Sequence, residues 1–188
     1  STKDTLNNLK NNQELPCGAK SHDLSIIGRI SPLLLVSSDE KTFLKNVKDF
    51  VGLTHNSEEV LESADFFAKV LWLVHLGNPI IQSVIQVKDE CSQTIKNYLN
   101  DGLNNSHDTL EAIEEFGSAC SVKGGFQGVI YILNKYDDDF KSAITMNAKA
   151  GGDSSARGMI IAMLLVAAYG KKVIPNNWIL QMTYKFDL

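Results

Sequence analysis

The residue types best suited to chemistry lie in one short segment, Ala150 to Gly158, where Gly151, Gly152 and Asp153 precede small and hydroxyl-bearing residues. Glycines let the backbone approach a charged ligand closely, and a carboxylate beside them can hold a hard cation such as Mg²⁺. The same residue types are typical of a simple helix start, in which the aspartate accepts hydrogen bonds from the first backbone N–H groups. The segment therefore predicts a helix cap, a metal ligand, or both.

A second candidate is Thr54-His55, which comes just before a predicted helix capped by Asn56. A histidine in a loop at a helix entrance can donate to a phosphate or to a ribose hydroxyl. A capping or surface role is the alternative, and the residue pattern leaves both open. The remaining histidines have no partner at catalytic spacing; they are His22, His75 and His107.

Three further candidates carry weaker signals. Gly117 to Gly125 is predicted to be a small-residue loop before a helix that could line a ligand pocket, and Cys120 within it lacks the basic partner that a nucleophile needs. The acids Asp137 to Asp139 resemble a metal cluster, but at a predicted helix start they favour capping. Arg29 lies in an apolar segment, which predicts a structural ion pair with a buried carboxylate.

Length and composition limit the class of protein to which these residues can belong. The 188 residues, 44% of them hydrophobic, suit one domain with a substantial core. A formal net charge of −4 without a basic face gives no reason to expect nucleic-acid binding. The three cysteines form no zinc-binding spacing or disulfide framework. Met159 to Tyr169 is too short to span a bilayer, which takes about 20 residues, so we expect a cytoplasmic protein without a membrane segment.

Apolar residues recur at helical spacing along most of the chain. Residues 1–20 are rich in Asn and Lys and are predicted to form a partly ordered lead-in, whereas 21–188 are predicted to form a single domain. Only Ser25 to Val36 and Val129 to Leu133 compete as strands. The predicted class is all-α, with many short helices rather than a simple four-helix bundle. Predicted helices lie between Ser37 and Gly52 and between Asn56 and Gly77, and over 80–87, 90–103, 107–116, 126–133, 140–148 and 159–169, with a last short helix from Pro175.

Several of these pieces, in this order, resemble the ADP-ribosylglycohydrolase family. The pattern of that family has Arg-Ile-x-Pro-Leu, then Thr-His before a long helix, then a Gly-rich loop before a helix. Gly-Gly-Asp-Thr-Asp-Thr then opens an apolar helix that ends in Tyr-Gly and is followed by Ile-Pro and Trp. The matching pieces here are Arg29 to Leu33, Thr54-His55, Gly117 to Gly125, Gly151 to Ala156, Tyr169-Gly170, Ile174-Pro175 and Trp178.

This resemblance implies a compact all-α domain that binds ADP-ribose and hydrolyses its bond to a protein side chain or small acceptor, using two Mg²⁺ ions. Under it, Asp153 and Ser155 become the metal-binding positions, while His55 and the loop around Val122 contact the nucleotide. Ser25 and Gly152 are then neighbours of the same ligand. The resemblance assigns no catalytic residue here.

The departures from the family pattern bear on activity. Ser155 stands where the family has its second acidic ligand, and Ala156 replaces a threonine. The family's Gly-Asp and Thr-Asp-Asp motifs have no match, which implies a domain lacking its N-terminal portion. We therefore expect the chain alone not to hold two Mg²⁺ ions tightly.

Three functions stay open at this point. The complete protein hydrolyses ADP-ribose conjugates, or the chain is a non-catalytic module for ADP-ribose or another nucleotide. The third is a divergent, J-crystallin-like structural protein with a vestigial site. The residue pattern does not address oligomeric state.

Overall fold

A computed structural model describes residues 2–119 and 121–183, which form helices joined by short turns. No β-strand occurs in these two ranges, so the predicted all-α class is confirmed. Three 3₁₀-helices are present, over Leu24–Arg29, Ser31–Val36 and Lys171–Val173. The α-helices are α1 (Thr2–Lys10), α2 (Glu40–Gly52), α3 (Glu58–His75), α4 (Ile80–Lys88), α5 (Gln93–Asn104), α6 (Thr109–Phe116), α7 (Val122–Lys135), α8 (Phe140–Lys149), α9 (Ser154–Tyr169) and α10 (Asn176–Gln181).

The core lies where α3, α7 and α9 pack together. Rings of Phe66, Phe67 and Phe126 meet there with centroids 4.8–5.1 Å apart, a favourable distance for aromatic pairs. Helix α9 also packs on α8 and on the 3₁₀-helix Leu24–Arg29. Among the described helices, none combines the length and hydropathy that a bilayer-spanning segment needs.

Short polar side chains start most of these helices. Asp139 accepts from the Ser142 N–H at 2.9 Å, so the predicted capping role at Asp137 to Asp139 is confirmed for this residue. At α3 the prediction of an Asn56 cap is wrong. Ser57 caps the helix by accepting from the Val60 N–H at 3.4 Å, while Asn56 donates to the Pro16 carbonyl. The Asn56 side chain is thereby used to fix the preceding turn.

Helix α7 begins earlier than its glycines suggested. The predicted loop from Gly117 to Gly125 is wrong for its last four residues, which form the first turn of the helix. Gly124 packs against the Gly117 carbonyl, and a side chain there would collide with it. Gly125 packs in the same way against Leu24. These glycines permit close packing within a helix rather than a flexible loop.

The N-terminal segment contacts the turn between α2 and α3. The Thr5 hydroxyl of α1 donates to the Thr54 carbonyl at 3.3 Å and accepts from the Ala19 N–H at 3.1 Å. Ala19 forms an isolated β-bridge with His55. The predicted lead-in therefore contains a helix and fixes the backbone beside a candidate site residue.

Candidate functional site

The Gly151-Gly152-Asp153 segment forms the entrance of α9. The Asp153 carboxylate accepts from the Ala156 N–H at 3.0 Å, which makes it the helix N-cap. Its own N–H donates to the Ser118 carbonyl at 2.8 Å. Gly152 has φ of +61° and lies against Ser118, leaving no room for a side chain. The capping alternative for Asp153 is thus confirmed, and the segment is held against the loop before α7.

Arg157 stabilises this entrance through hydrogen bonds of its buried side chain. Its side chain is 1% exposed; Nη2 donates to the Gly151 carbonyl at 2.6 Å, and Nε donates to Asn147 Oδ1 at 3.0 Å. Burial lowers the pKa of the guanidinium, and the negative charge of Asp153 opposes that shift. The side chain remains a cation, since arginine is not deprotonated in proteins. Sequence reasoning missed Arg157, although an arginine one turn into an apolar helix is an available signal.

The residues at this entrance do not fit Mg²⁺ by themselves. Asp153 supplies one carboxylate and uses it as a cap, while Ser155 is an exposed hydroxyl. Within residues 2–119 and 121–183, no group of three or more His, Cys, Asp or Glu side chains is arranged to hold a metal. The buried Arg157 cation further disfavours a second positive charge nearby. A magnesium ion here would need carboxylates from outside the described residues.

His55 is buried at the entrance of α3. It is 7% exposed, and its Nδ1 lies 2.8 Å from the Thr54 hydroxyl. Its Nε2 is also buried and has no hydrogen-bond partner in the described part of the chain. Burial lowers the pKa of the imidazole, while Asp23 acts in the opposite direction. When the Thr54 hydroxyl donates to Nδ1, Nε2 carries the proton and is a free donor.

The segment before the first 3₁₀-helix links these two entrances. The Val122 N–H donates to the His22 carbonyl at 2.9 Å, and Asp23 pairs with Ser121 in an isolated bridge. The Asp23 carboxylate accepts from the Ser25 N–H at 2.8 Å, which starts the 3₁₀-helix. Ser121 and Val122 therefore contact the segment around Asp23, while Ser118 contacts the α9 entrance.

The predicted site residues differ in what they can offer. Ser25 is half-buried and Gly152 exposed, whereas the Val122 side chain is fully buried and can contribute only backbone. Arg29 is exposed, so the prediction of a buried structural ion pair is wrong. Cys120 lies outside the described residues.

A large cavity adjoins the histidine segment. Its volume is about 910 Å³, and it lies between α2 and α3 with an apolar wall from Leu44, Val47 and Leu61. Lys20 and Asn56, the sequence neighbours of Ala19 and His55, stand at its edge. The cavity thus borders the α3 entrance, away from the Gly152 segment.

Fold and site together describe an all-α protein with a glycine-aspartate entrance at α9 and a buried histidine at the entrance of α3. The family model for ADP-ribosylglycohydrolase matches residues 1–188, so the chain belongs to the ADP-ribosylglycohydrolase family. The family resemblance of the motif series is thereby confirmed.

Two curated relatives are crystallins by name. Crystallin J1A of Tripedalia cystophora is 28% identical over 159 residues, covering 80% of this chain and 47% of the relative. Crystallin J1B of the same organism is 26% identical over 161 residues, with the same coverages. The chain therefore spans about half the length of the curated relatives it matches.

A solved structure has the same fold. The chain titled "ADP-ribosylglycohydrolase-related protein complex" superposes with a TM-score of 0.66 at 20% identity. The match covers 95% of this chain and 61% of that one. At this identity the likeness establishes the fold alone.

Proposed function

We propose that this chain binds ADP-ribose, or an ADP-ribosyl group on a conjugate, without a magnesium ion of its own. One observation carries the proposal: the buried Nε2 of His55 has no partner among the described residues. An unsatisfied buried nitrogen is uncommon in proteins and suits a donor or acceptor supplied by a ligand. Membership of the ADP-ribosylglycohydrolase family supports the choice of ligand.

The neighbouring groups suit a diphosphate-containing ligand. Helix α7 has 14 residues, and its N-cap, Ser121, makes no side-chain hydrogen bond to the first turn. The helix dipole favours an anion at such a terminus, where the first N–H, of Val122, already donates to the His22 carbonyl. Gly152 lies against Ser118 just before this helix, and Ser25 donates its N–H to Asp23, which pairs with Ser121. The ribose hydroxyls would then take the hydrogen bonds of His55.

Isothermal titration with ADP-ribose, in EDTA and in Mg²⁺, tests the proposal. We expect the same affinity in both buffers, and His55→Gln weakens binding about tenfold because one buried hydrogen bond is lost. His75→Gln, at an exposed histidine, is the matched control and leaves affinity unchanged. Magnesium-dependent binding with release of ADP-ribose from a modified protein would instead favour hydrolysis.

A structural role is the second candidate, favoured by the crystallin names of the two relatives. Under this alternative the site is vestigial, and neither buffer gives measurable binding. The chain would still fold, because capping and the Arg157 contacts do not depend on a ligand. The titration therefore separates the two candidates.

A further inference from the structure

A second, polar cavity lies between α5, α6 and the first two turns of α7. Its volume is about 460 Å³, which is in the size range of small-molecule sites. Ser25, His55 and Gly152 do not line it. Lys123, on the first turn of α7, is the lining residue nearest the helix start that the ADP-ribose proposal uses, so displacement by ADP-ribose tests whether the two sites are separate. The lining residues that matter below are Asn100, Asp101, Asn104, Phe116, Lys123 and Gln127.

Gln127 supplies a polar group that is not satisfied within the fold. The side chain is 3% exposed, and its Nε2 donates to Asp101 Oδ2 at 2.7 Å. Its Oε1 is buried and finds no donor in the ranges that the structure describes. Buried amide oxygens are nearly always hydrogen-bonded. The missing donor points to a ligand hydroxyl or amine, or to water, at this wall of the cavity.

The charges around the cavity disfavour an anion. The two carboxylates of Asp101 and Glu115 outnumber the ammonium group of Lys123, which offsets part of their attraction for a cation. The neutral side chains of Asn100 and Asn104 offer both hydrogen-bond donors and hydrogen-bond acceptors. Asn100 Oδ1 already accepts from Lys88 at 2.6 Å, so its amide hydrogens remain as donors, and Asn104 donates to the Asn100 carbonyl, so its oxygen remains as an acceptor.

Phe116 adds an apolar surface to this polar set. The ring is half-buried and packs edge-to-face on Tyr131, with centroids 6.1 Å apart. Hydroxyl groups both donate and accept, while the C–H face of a sugar ring packs on an aromatic ring. We propose that this cavity binds a neutral polyhydroxylated ring, such as a pentose or hexose, at a site independent of ADP-ribose.

Amide NMR of the full chain with four probes tests this inference. D-glucose and D-ribose are the neutral rings, and D-glucosamine and D-gluconate are charged counterparts. We expect saturable shifts at Asp101, Lys123 and Gln127 with the neutral rings, at dissociation constants of about 1 to 10 mM. D-gluconate binds at least about tenfold more weakly because it meets a net negative lining, while D-glucosamine binds about as well as D-glucose because Lys123 offsets the carboxylates. ADP-ribose does not displace the sugar.

Two variants locate the site. Asp101→Asn weakens the neutral rings about fivefold because a charged acceptor is replaced by a neutral one. Lys123→Ala changes an exposed side chain, and it strengthens glucosamine binding relative to glucose because the two carboxylates are then unopposed. Asp138→Asn, at an exposed acid away from the cavity, is the control.

The inference is overturned by any of three results. No saturable shift with either neutral ring removes the site. Tighter binding of glucosamine than of glucose by the unmodified chain makes it a cation site. Displacement of the sugar by ADP-ribose, with equal loss in His55→Gln, places the sugar in the nucleotide site instead.

Discussion

The entrances of α9 and α3 are both capped helix starts but differ in how their polar groups are used. At α9, Asp153 caps the helix, and Arg157 donates to Gly151 and Asn147 while its Nη1 is buried without a partner in the described residues. At α3, Ser57 caps the helix, and the buried His55 also keeps one ring nitrogen without a partner there. The Arg157 side chain is held by two hydrogen bonds, whereas the His55 ring has one, with the Thr54 hydroxyl, and keeps more of its capacity for a ligand.

This difference shows that residues of a sequence motif are best classified by the hydrogen bonds that their side chains make. The glycine-aspartate segment identifies the family, yet its carboxylate acts within its own helix. The histidine is less distinctive in sequence, but its Nε2 is unsatisfied within the described residues, as is Nη1 of Arg157. Function is therefore better sought at His55 than at Asp153.

The largest expected effect is at Arg157. Arg157→Met should lower the free energy of unfolding by about 3 kcal/mol, because Gly151 O and Asn147 Oδ1 lose charge-assisted donors in a buried place. Urea denaturation measures it. Arg29→Met, at an exposed arginine, should change stability by less than about 0.5 kcal/mol.

An Arg157→Met variant as stable as the unmodified chain would contradict the stabilising role given to Arg157 at the α9 entrance. It would mean that desolvation of the guanidinium outweighs its hydrogen bonds, which happens when an apolar residue replaces a buried charge. The α9 entrance would then owe its shape to Asp153 and the glycines alone.

The two glycines of the entrance provide a matched pair. Both have positive φ, +70° at Gly151 and +61° at Gly152, so alanine is strained at either. A side chain at Gly151 meets open space, whereas one at Gly152 collides with Ser118. We expect losses of about 1 kcal/mol for Gly151→Ala and about 3 kcal/mol for Gly152→Ala in the same denaturation assay. Equal losses would show that the Ser118 contact gives way easily.

Asp153 should behave as a cap. Asp153→Ala should destabilise by about 1 kcal/mol, and Asp153→Asn by only a few tenths, since asparagine caps nearly as well. Adding about 5 mM Mg²⁺ should not shift the midpoint of thermal unfolding of the unmodified chain, because a single carboxylate is a weak magnesium site. A magnesium-dependent rise that Asp153→Asn abolishes would contradict the cap interpretation.

The smallest effect is a pH dependence at His55. Because burial lowers its pKa in the folded state, the unfolded chain binds more protons as the pH falls below the ordinary histidine value of 6.5. The stability contributed by neutral His55 is present above that pH and is lost as the pH falls toward the folded pKa. His55→Gln should reduce the dependence of the unfolding free energy on pH between about 5.5 and 7.5, a range of about one pH unit on either side of the ordinary histidine pKa. His75→Gln should leave this dependence unchanged.

Much of the fold followed from residue patterns because apolar periodicity and capping residues act locally. Helices α2, α5 and α6 lie close to their predicted ranges, and Asp139 and Asp153 cap as their residue types suggest. These features depend on neighbours within one or two turns. Gly124 and Gly125 were misjudged because their role is contact with Gly117 and Leu24.

The site was less predictable for the same reason. The position of Arg157 one turn into an apolar helix draws attention to it, but whether an arginine is buried like Arg157 or exposed like Arg29 is decided by packing, here of α9 against α7 and α8. The free nitrogen of His55 also depends on Thr54 taking its other nitrogen. Both features are tertiary, so a single sequence gives their residue types but not their partners.

The backbone of residues 17–19, which pairs with the turn before α3, has a kinetic consequence. Gly18 and Ala19 donate to the Gly52 and Thr54 carbonyls, and the Cys17 side chain beneath them is 1% exposed. A thiol reagent can reach Cys17 only when this pairing opens. The labelling rate of Cys17 therefore reports how often the backbone beside His55 opens. A ligand that binds at His55 and stabilises this backbone should lower the labelling rate.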